Sequence, residues 1–196
     1  DPEMSRGLGD VYKRQLKSCL AANRIKSVMG IVNGTTNYML TKMSQDHMDY
    51  GEVLREAQEK GYAESDPTAD VGGLDAARKL VILASIAFNT RISLDDVLVS
   101  GIESLKLCDI EYAKELGYTI KLLAVAKHDE EKGIIVCVRP TMLPTEHPLA
   151  GVNDVFNAVF VEGDALGEAM FMGRGAGGLP TASAVCGDII DVARNM

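Results

Sequence analysis

An acid and a lysine four residues apart, Asp75 and Lys79, are the pair in this sequence best placed to do chemistry. From Asp75 onward Ala76, Ala77, Leu80, Leu83, Ala84 and Ala87 recur at three- and four-residue steps. That period predicts a helix from Leu74 to about Asn89 and puts both side chains on one face, within reach of each other. Spacing alone is equally served by a surface ion pair, worth about a few tenths of a kcal/mol. The segment in front argues for more. Residues 61–73 hold three glycines, Pro67 and the acids Glu64, Asp66 and Asp70, all within reach of the same helix start. Polar side chains on a constrained backbone ahead of an apolar helix compose a substrate-binding loop.

Two further turns have the makings of ligand sites. Ile25–Val32 is a short apolar run suited to a strand, followed by Asn33, Gly34, Thr35, Thr36 and Asn37. Asn-Gly permits a tight turn, and the threonines with Asn37 offer caps to a helix from about Asn37 to Gln45. A strand, a glycine turn and a helix start together can hold a polar or anionic group, or be no more than a capped turn. Near the end, Gly173–Val185 is a glycine-rich loop leading into an apolar helix that reaches about Arg194. Its G-x-G-x-G-G spacing is not a dinucleotide fingerprint, and a close helix–sheet turn serves it equally well.

The other elements must position these turns. Tyr50–Lys60 reads as a helix stopped by Gly61, Ser93 with Asp96 as a capping box, and Cys108–Leu116 as a helix closed by Gly117. The period then changes. Tyr118–Lys127 and Gly133–Arg139 form a hairpin pattern, a proline-rich connection (Pro140, Pro144, Pro148) follows, and Val155–Glu162 and Ala169–Met172 read as two more strands. The expected class is α+β, with helices packed on a mostly antiparallel sheet. Leu16–Asn23 reads as the end of a helix. Asp1–Gln15 lacks apolar periodicity and reads as a leader or linker foreign to the domain.

With 196 residues, 46% of them apolar and 24% charged, the chain has the composition of a soluble globular protein. No apolar run approaches membrane-spanning length. A formal charge of −8 without a Lys/Arg stripe argues against nucleic acid as a partner. Cys19, Cys108, Cys137 and Cys186 are widely separated and the three histidines are scattered, so no metal site is expected and a reducing cytoplasm fits best.

Taken together, Gly30–Tyr38, Gly61–Asp70, Gly73–Lys79 and Gly173–Val185, with Ala22–Ile25 before them, resemble homoserine dehydrogenase in its catalytic, substrate-binding and dimerisation region. The resemblance runs from about Leu16 to Arg194. It implies the NAD(P)-dependent interconversion of L-aspartate 4-semialdehyde and L-homoserine, on the route to threonine, methionine and isoleucine. Lys79 then matches the general acid/base, a role a lysine can fill when burial and neighbours tune it. Glu64 and Asp75 match ligands of the substrate's amino group, with Asp70 and Tyr62 beside them. Gly61, Gly34, Thr35 and Gly177 fall against the nicotinamide cofactor. Residues 16–178 correspond to the catalytic and dimerisation domain of a two-domain dehydrogenase. Residues 179–196 correspond to a helix returning to the nucleotide-binding domain, whose glycine fingerprint has no counterpart in Asp1–Gln15. A second lysine, and most of the monovalent-cation site found in many members, belong to segments not represented here. The expectation is therefore an internal piece of a homodimeric enzyme, inactive by itself. The same region of a bifunctional aspartate kinase–homoserine dehydrogenase, or a self-associating domain with an incomplete pocket, would read the same way.

Overall fold

The computed structural model describes residue 20 and residues 22–194. Asp1–Gln15, and the greater part of the helix end expected over Leu16–Asn23, lie outside the described residues. A six-stranded sheet forms the frame: β1 (Ile25–Ile31), β2 (Leu98–Val99), β3 (Tyr118–Asp129), β4 (Gly133–Pro144), β5 (Phe156–Gly163) and β6 (Gly167–Arg174), in the order β2-β4-β3-β1-β5-β6. Every neighbouring pair is antiparallel except the short β2–β4 contact. The helices are α1 (Gly34–Gln45), α2 (Tyr50–Glu59), α3 (Thr68–Val71), α4 (Leu74–Ala87), α5 (Leu107–Glu115) and α6 (Gly178–Arg194). The α+β class expected from the change of period is the one observed.

Alternation along the strands sorts the side chains between two faces. Val28, Leu122, Ala124, Val138, Val159 and Val161 meet Met39, Met43, Leu80 and Leu83 in the core beneath the helices. Ile31, Leu123 and Phe160 form a smaller cluster on the opposite face, under Leu149 and Ala150 of the 3-10 turn Pro148–Gly151.

Several boundaries differ from the sequence reading. Helix α1 starts at Gly34 rather than Asn37, because Asn33 is the cap: its Oδ1 accepts the Thr36 N–H at 2.8 Å. Strand β4 runs on through Pro140 to Pro144, which the sequence assigned to a connection. The strand that flanks β4 pairs only with Cys137 and Val138, so from Arg139 onward that side is an edge, where a proline's missing N–H costs no ladder bond. Helix α4 ends at Ala87, two residues early. The four-residue α3 and two-residue β2 are too short to leave a periodic signal.

Candidate active site

Asn33, Gly34, Thr35, Gly61, Tyr62, Asp70, Asp75, Lys79, Asn157 and residues 174–177 border one cavity of about 330 Å³. It lies where the β1–α1 turn, the loop after α2, the start of α4 and the glycine loop after β6 converge. Eight of the nine residues singled out by sequence line it: Lys79, Asp75, Asp70, Tyr62, Gly61, Gly34, Thr35 and Gly177. Glu64 does not; it is exposed, though its negative charge is felt at Asp70.

Lys79 is held on one side. Its Nζ donates to Asp75 Oδ2 at 2.7 Å and to the Val32 carbonyl at 3.0 Å. An ammonium has three N–H donors, so among the described residues one stays available. The two side chains keep 24% and 20% of their surface exposed, enough for a ligand to reach them but less than a surface pair shows. The one-turn spacing read from sequence becomes direct contact because α4 is regular from Leu74, which follows Gly73 at a φ of 84°.

Asn33 ties the acids together. Its Nδ2 donates to Asp70 Oδ1 at 2.7 Å and to Asp75 Oδ2 at 2.9 Å, while Oδ1 caps α1 through Thr36. All four hydrogen-bonding positions of this amide are used, which fixes both carboxylates relative to the helix start. Asp70 is 7% exposed. Burial pushes its carboxyl above the usual value, and the charges of Asp75 and Glu64 add to the shift; the Asn33 bond and Lys79 oppose it. Removed from water beside a second acid, Asp70 gains by meeting a cation.

Glycines also border the cavity, beside Val155, Asn157, Arg174 and Ala176. Gly34, Gly175 and Gly177 bring bare backbone to the cavity, Gly177 at a φ of 125° that disfavours any side chain. Thr35 Oγ1 donates to the Tyr62 carbonyl at 2.5 Å, joining the start of α1 to the loop after α2. The Tyr62 ring packs edge-on against Tyr38, centroids 5.0 Å apart, and Tyr38 bonds Glu56 and Lys60 in turn. Among the described residues no group of three His, Cys, Asp or Glu side chains is arranged to hold a metal.

The cavity thus brings an anchored lysine and two acids together with glycines of three turns, drawn from the four sequence motifs. A homoserine dehydrogenase family model matches residues 12–190. This chain belongs to the homoserine dehydrogenase family. It is 52% identical to a homoserine dehydrogenase of Bacillus subtilis over 183 residues, covering 93% of this chain and 42% of that protein. With one from Corynebacterium glutamicum the identity is 55% over 184 residues, 92% and 41% covered. The crystal structure of a homoserine dehydrogenase from Thiobacillus denitrificans superposes with a TM-score of 0.92 at 46% identity, covering 96% of this chain and 43% of that one. A hyperthermophilic archaeal homoserine dehydrogenase mutant, solved in complex with NADPH, gives a TM-score of 0.80 at 28% identity, with 98% and 55% covered. The chain spans about two fifths of the length of the curated relatives it matches.

Sequence reasoning missed Asn33, Asn157 and Arg174 as parts of this family site. Asn33 had a visible signal, the Asn-Gly pair after a strand. Arg174 lay within the glycine-rich segment 173–185 already singled out, whereas Asn157 had no signal: it sat in an apolar run, and only the β5–β6 register, with Asn157 opposite Gly173, brings it to that loop.

Proposed function

We propose that this chain is the substrate-binding and catalytic portion of an enzyme that interconverts L-aspartate 4-semialdehyde and L-homoserine with a nicotinamide cofactor. The observation that carries the reading is Lys79, anchored by Asp75 and Val32 with one N–H available in a cavity that also holds two acids.

In this reading Lys79 donates a proton to the aldehyde oxygen in the reductive direction and takes it from the alcohol in reverse. Asp75 keeps the lysine in place and, with Asp70, receives the substrate ammonium; Glu64 adds its charge from the rim and Tyr62 closes that side. When bound, NAD(P)H supplies the hydride to the carbonyl carbon. Gly34, Thr35, Gly61 and Gly177 hold the nicotinamide end, where glycine backbone permits close approach of a ligand. The archaeal relative solved with NADPH supports this cofactor.

Residues 16–178 form the catalytic and dimerisation domain in this proposal. The last helix meets the nucleotide-binding part; its Leu179, Ile189, Ile190 and Val192 are exposed apolar side chains that suit such a contact. Self-association of two copies is supported by Met170 and Met172, exposed on the sheet face opposite the helices, across from Phe160 and Ala158. A cytoplasmic setting agrees with Cys108, Cys137 and Cys186 being free.

The test joins the nucleotide-binding domain of the B. subtilis relative ahead of Leu16. Homoserine-dependent reduction of NAD+ or NADP+ by the fusion is expected. A folded fusion that binds the dinucleotide yet turns over no homoserine would contradict the proposal.

A further inference from the structure

The corner between α3 and α4 carries Asp70 on one side and Asp75 on the other, and the start of α4 there has no side-chain cap. It is held instead from behind, by the segment that follows β2. The Ile102 N–H donates to the Val71 carbonyl at 2.8 Å and the Ser100 N–H to the Val138 carbonyl at 2.8 Å, so residues 100–102 tie the corner to β4. Ile102 and Val71 are both buried in the core beneath the helices. Between these anchors lies Gly101, at the point of contact. A Cβ there would fall 2.1 Å from the Val71 carbonyl oxygen and 2.6 Å from Gly72 Cα. Non-bonded carbon atoms sit about 3.5–4.0 Å apart, and both neighbours are backbone that cannot swing aside. Only a glycine lets the two chains cross this closely. Gly101 is not among the residues that border the cavity.

What the crossing fixes is the pair of acids. Asp70 directly precedes Val71, and its carbonyl accepts the Gly73 N–H at 3.0 Å, which closes the corner. Both carboxylates then meet the single Asn33 Nδ2, at 2.7 and 2.9 Å, with little slack in either bond. Lys79 lies a full turn further along α4 and has a second anchor in the Val32 carbonyl, so it depends less on the corner. We propose that Gly101 is a positioning residue for the ammonium subsite: its backbone contact with Val71 and Gly72 holds Asp70 and Asp75 where both reach one ammonium. This rests on the substrate reading proposed above, and it places a determinant of amino-group recognition outside the cavity.

4-Hydroxybutanoate keeps the alcohol and carboxylate of L-homoserine and lacks the ammonium, so the ratio of the two kcat/KM values on the fusion reads the ammonium subsite. The unaltered fusion should prefer L-homoserine about thirtyfold, the scale of one charge-assisted hydrogen bond. Gly101→Ala should bring the ratio to about three or less, with the change falling on L-homoserine, because a shift of about 1 Å is enough to lose a positioned contact. A general loss of folded enzyme would lower both rates together, and a ratio unmoved in folded Gly101→Ala would overturn the proposal. Coupling is reciprocal, so L-homoserine bound to the unaltered fusion should slow hydrogen exchange at the Ile102 amide, whereas 4-hydroxybutanoate should not. Equal exchange with and without L-homoserine would overturn the proposal even if Gly101→Ala failed to fold. Homoserine turnover combined with an unmoved ratio would refute the role of Gly101 alone; absence of homoserine turnover by the unaltered fusion would refute the substrate reading with it.

Discussion

Two lysines of this domain, Lys79 and Lys121, are both partly or wholly withdrawn from water, and their surroundings differ in kind. Lys79 keeps a quarter of its side chain exposed, borders a cavity and is paired with a carboxylate. Lys121 is 1% exposed on β3 and, among the described residues, donates to neutral oxygens: Val152 O at 2.5 Å, Asn37 Oδ1 at 3.1 Å and Asn153 Oδ1 at 3.2 Å. Asn37 also donates to the carbonyls of Val152, Asp154 and Phe156. Lys121 and Asn37 together pin the 152–156 turn, which leads into Asn157, to helix α1. All three N–H donors of Lys121 are used, whereas among the described residues one of Lys79's is not. A lysine that acts on a ligand needs that spare donor and a counter-charge, whereas a lysine that holds a fold uses every donor and pays in desolvation.

The largest effect expected from this contrast is on turnover. Lys79→Met, which keeps length and removes the proton, should lower kcat of the fusion about a thousandfold, within the range for losing a general acid. Dinucleotide affinity should be nearly unchanged. Steady-state kinetics with a binding titration separates the two; equal losses in both would mean the variant disturbs the cavity rather than the chemistry.

Lys121 should reveal itself in stability. Burial pulls its pKa down to about 8 from the usual 10.5, with the Asp154 charge opposing. Between those values the unfolded chain binds more protons than the folded one, so stability rises with pH across the window. Relative to Lys121→Met, the unaltered protein should gain up to about 3 kcal/mol from pH 8 to pH 10.5, measured as the urea midpoint against pH. Parallel curves would show that Lys121 is not desolvated.

Asp75→Asn keeps an oxygen for Lys79 and Asn33 but loses the charge. It should lower kcat/KM for homoserine about thirtyfold, the scale of one charge-assisted hydrogen bond. An unchanged kcat/KM would remove Asp75 from the site. The smallest effect belongs to Asp70. Its raised pKa means that ionising it costs the folded state stability as pH rises through the folded value. Asp70→Asn should then be more stable than the unaltered protein at neutral pH. The gain should vanish below the ordinary carboxylate value of 3.8, read as thermal midpoints at several pH values.

What the sequence made legible was local. Asp75 and Lys79 are one turn apart, so a periodicity argument put them in contact; the turn residues of 33–36, 61–73 and 173–178 marked three loops without saying that they meet. Their convergence depends on contacts across long separations, such as Asn33 to Asp75 across 42 residues. No window of sequence carries that. Lys121 was passed over inside the apolar run Ile120–Ala126, although a lone lysine amid residues buried on both faces is itself a signal that something polar waits beneath the sheet. The prolines of β4 misled because their cost depends on which edge is paired, a property of the sheet and not of the strand.

The most direct test of the central claim, that Lys79 moves the proton, is amine rescue. Lys79→Ala in the fusion should be nearly inactive towards L-homoserine, and added ethylamine, which fits the space vacated, should restore turnover in proportion to its concentration. Turnover by Lys79→Ala at the unaltered rate, with no amine present, would contradict the account.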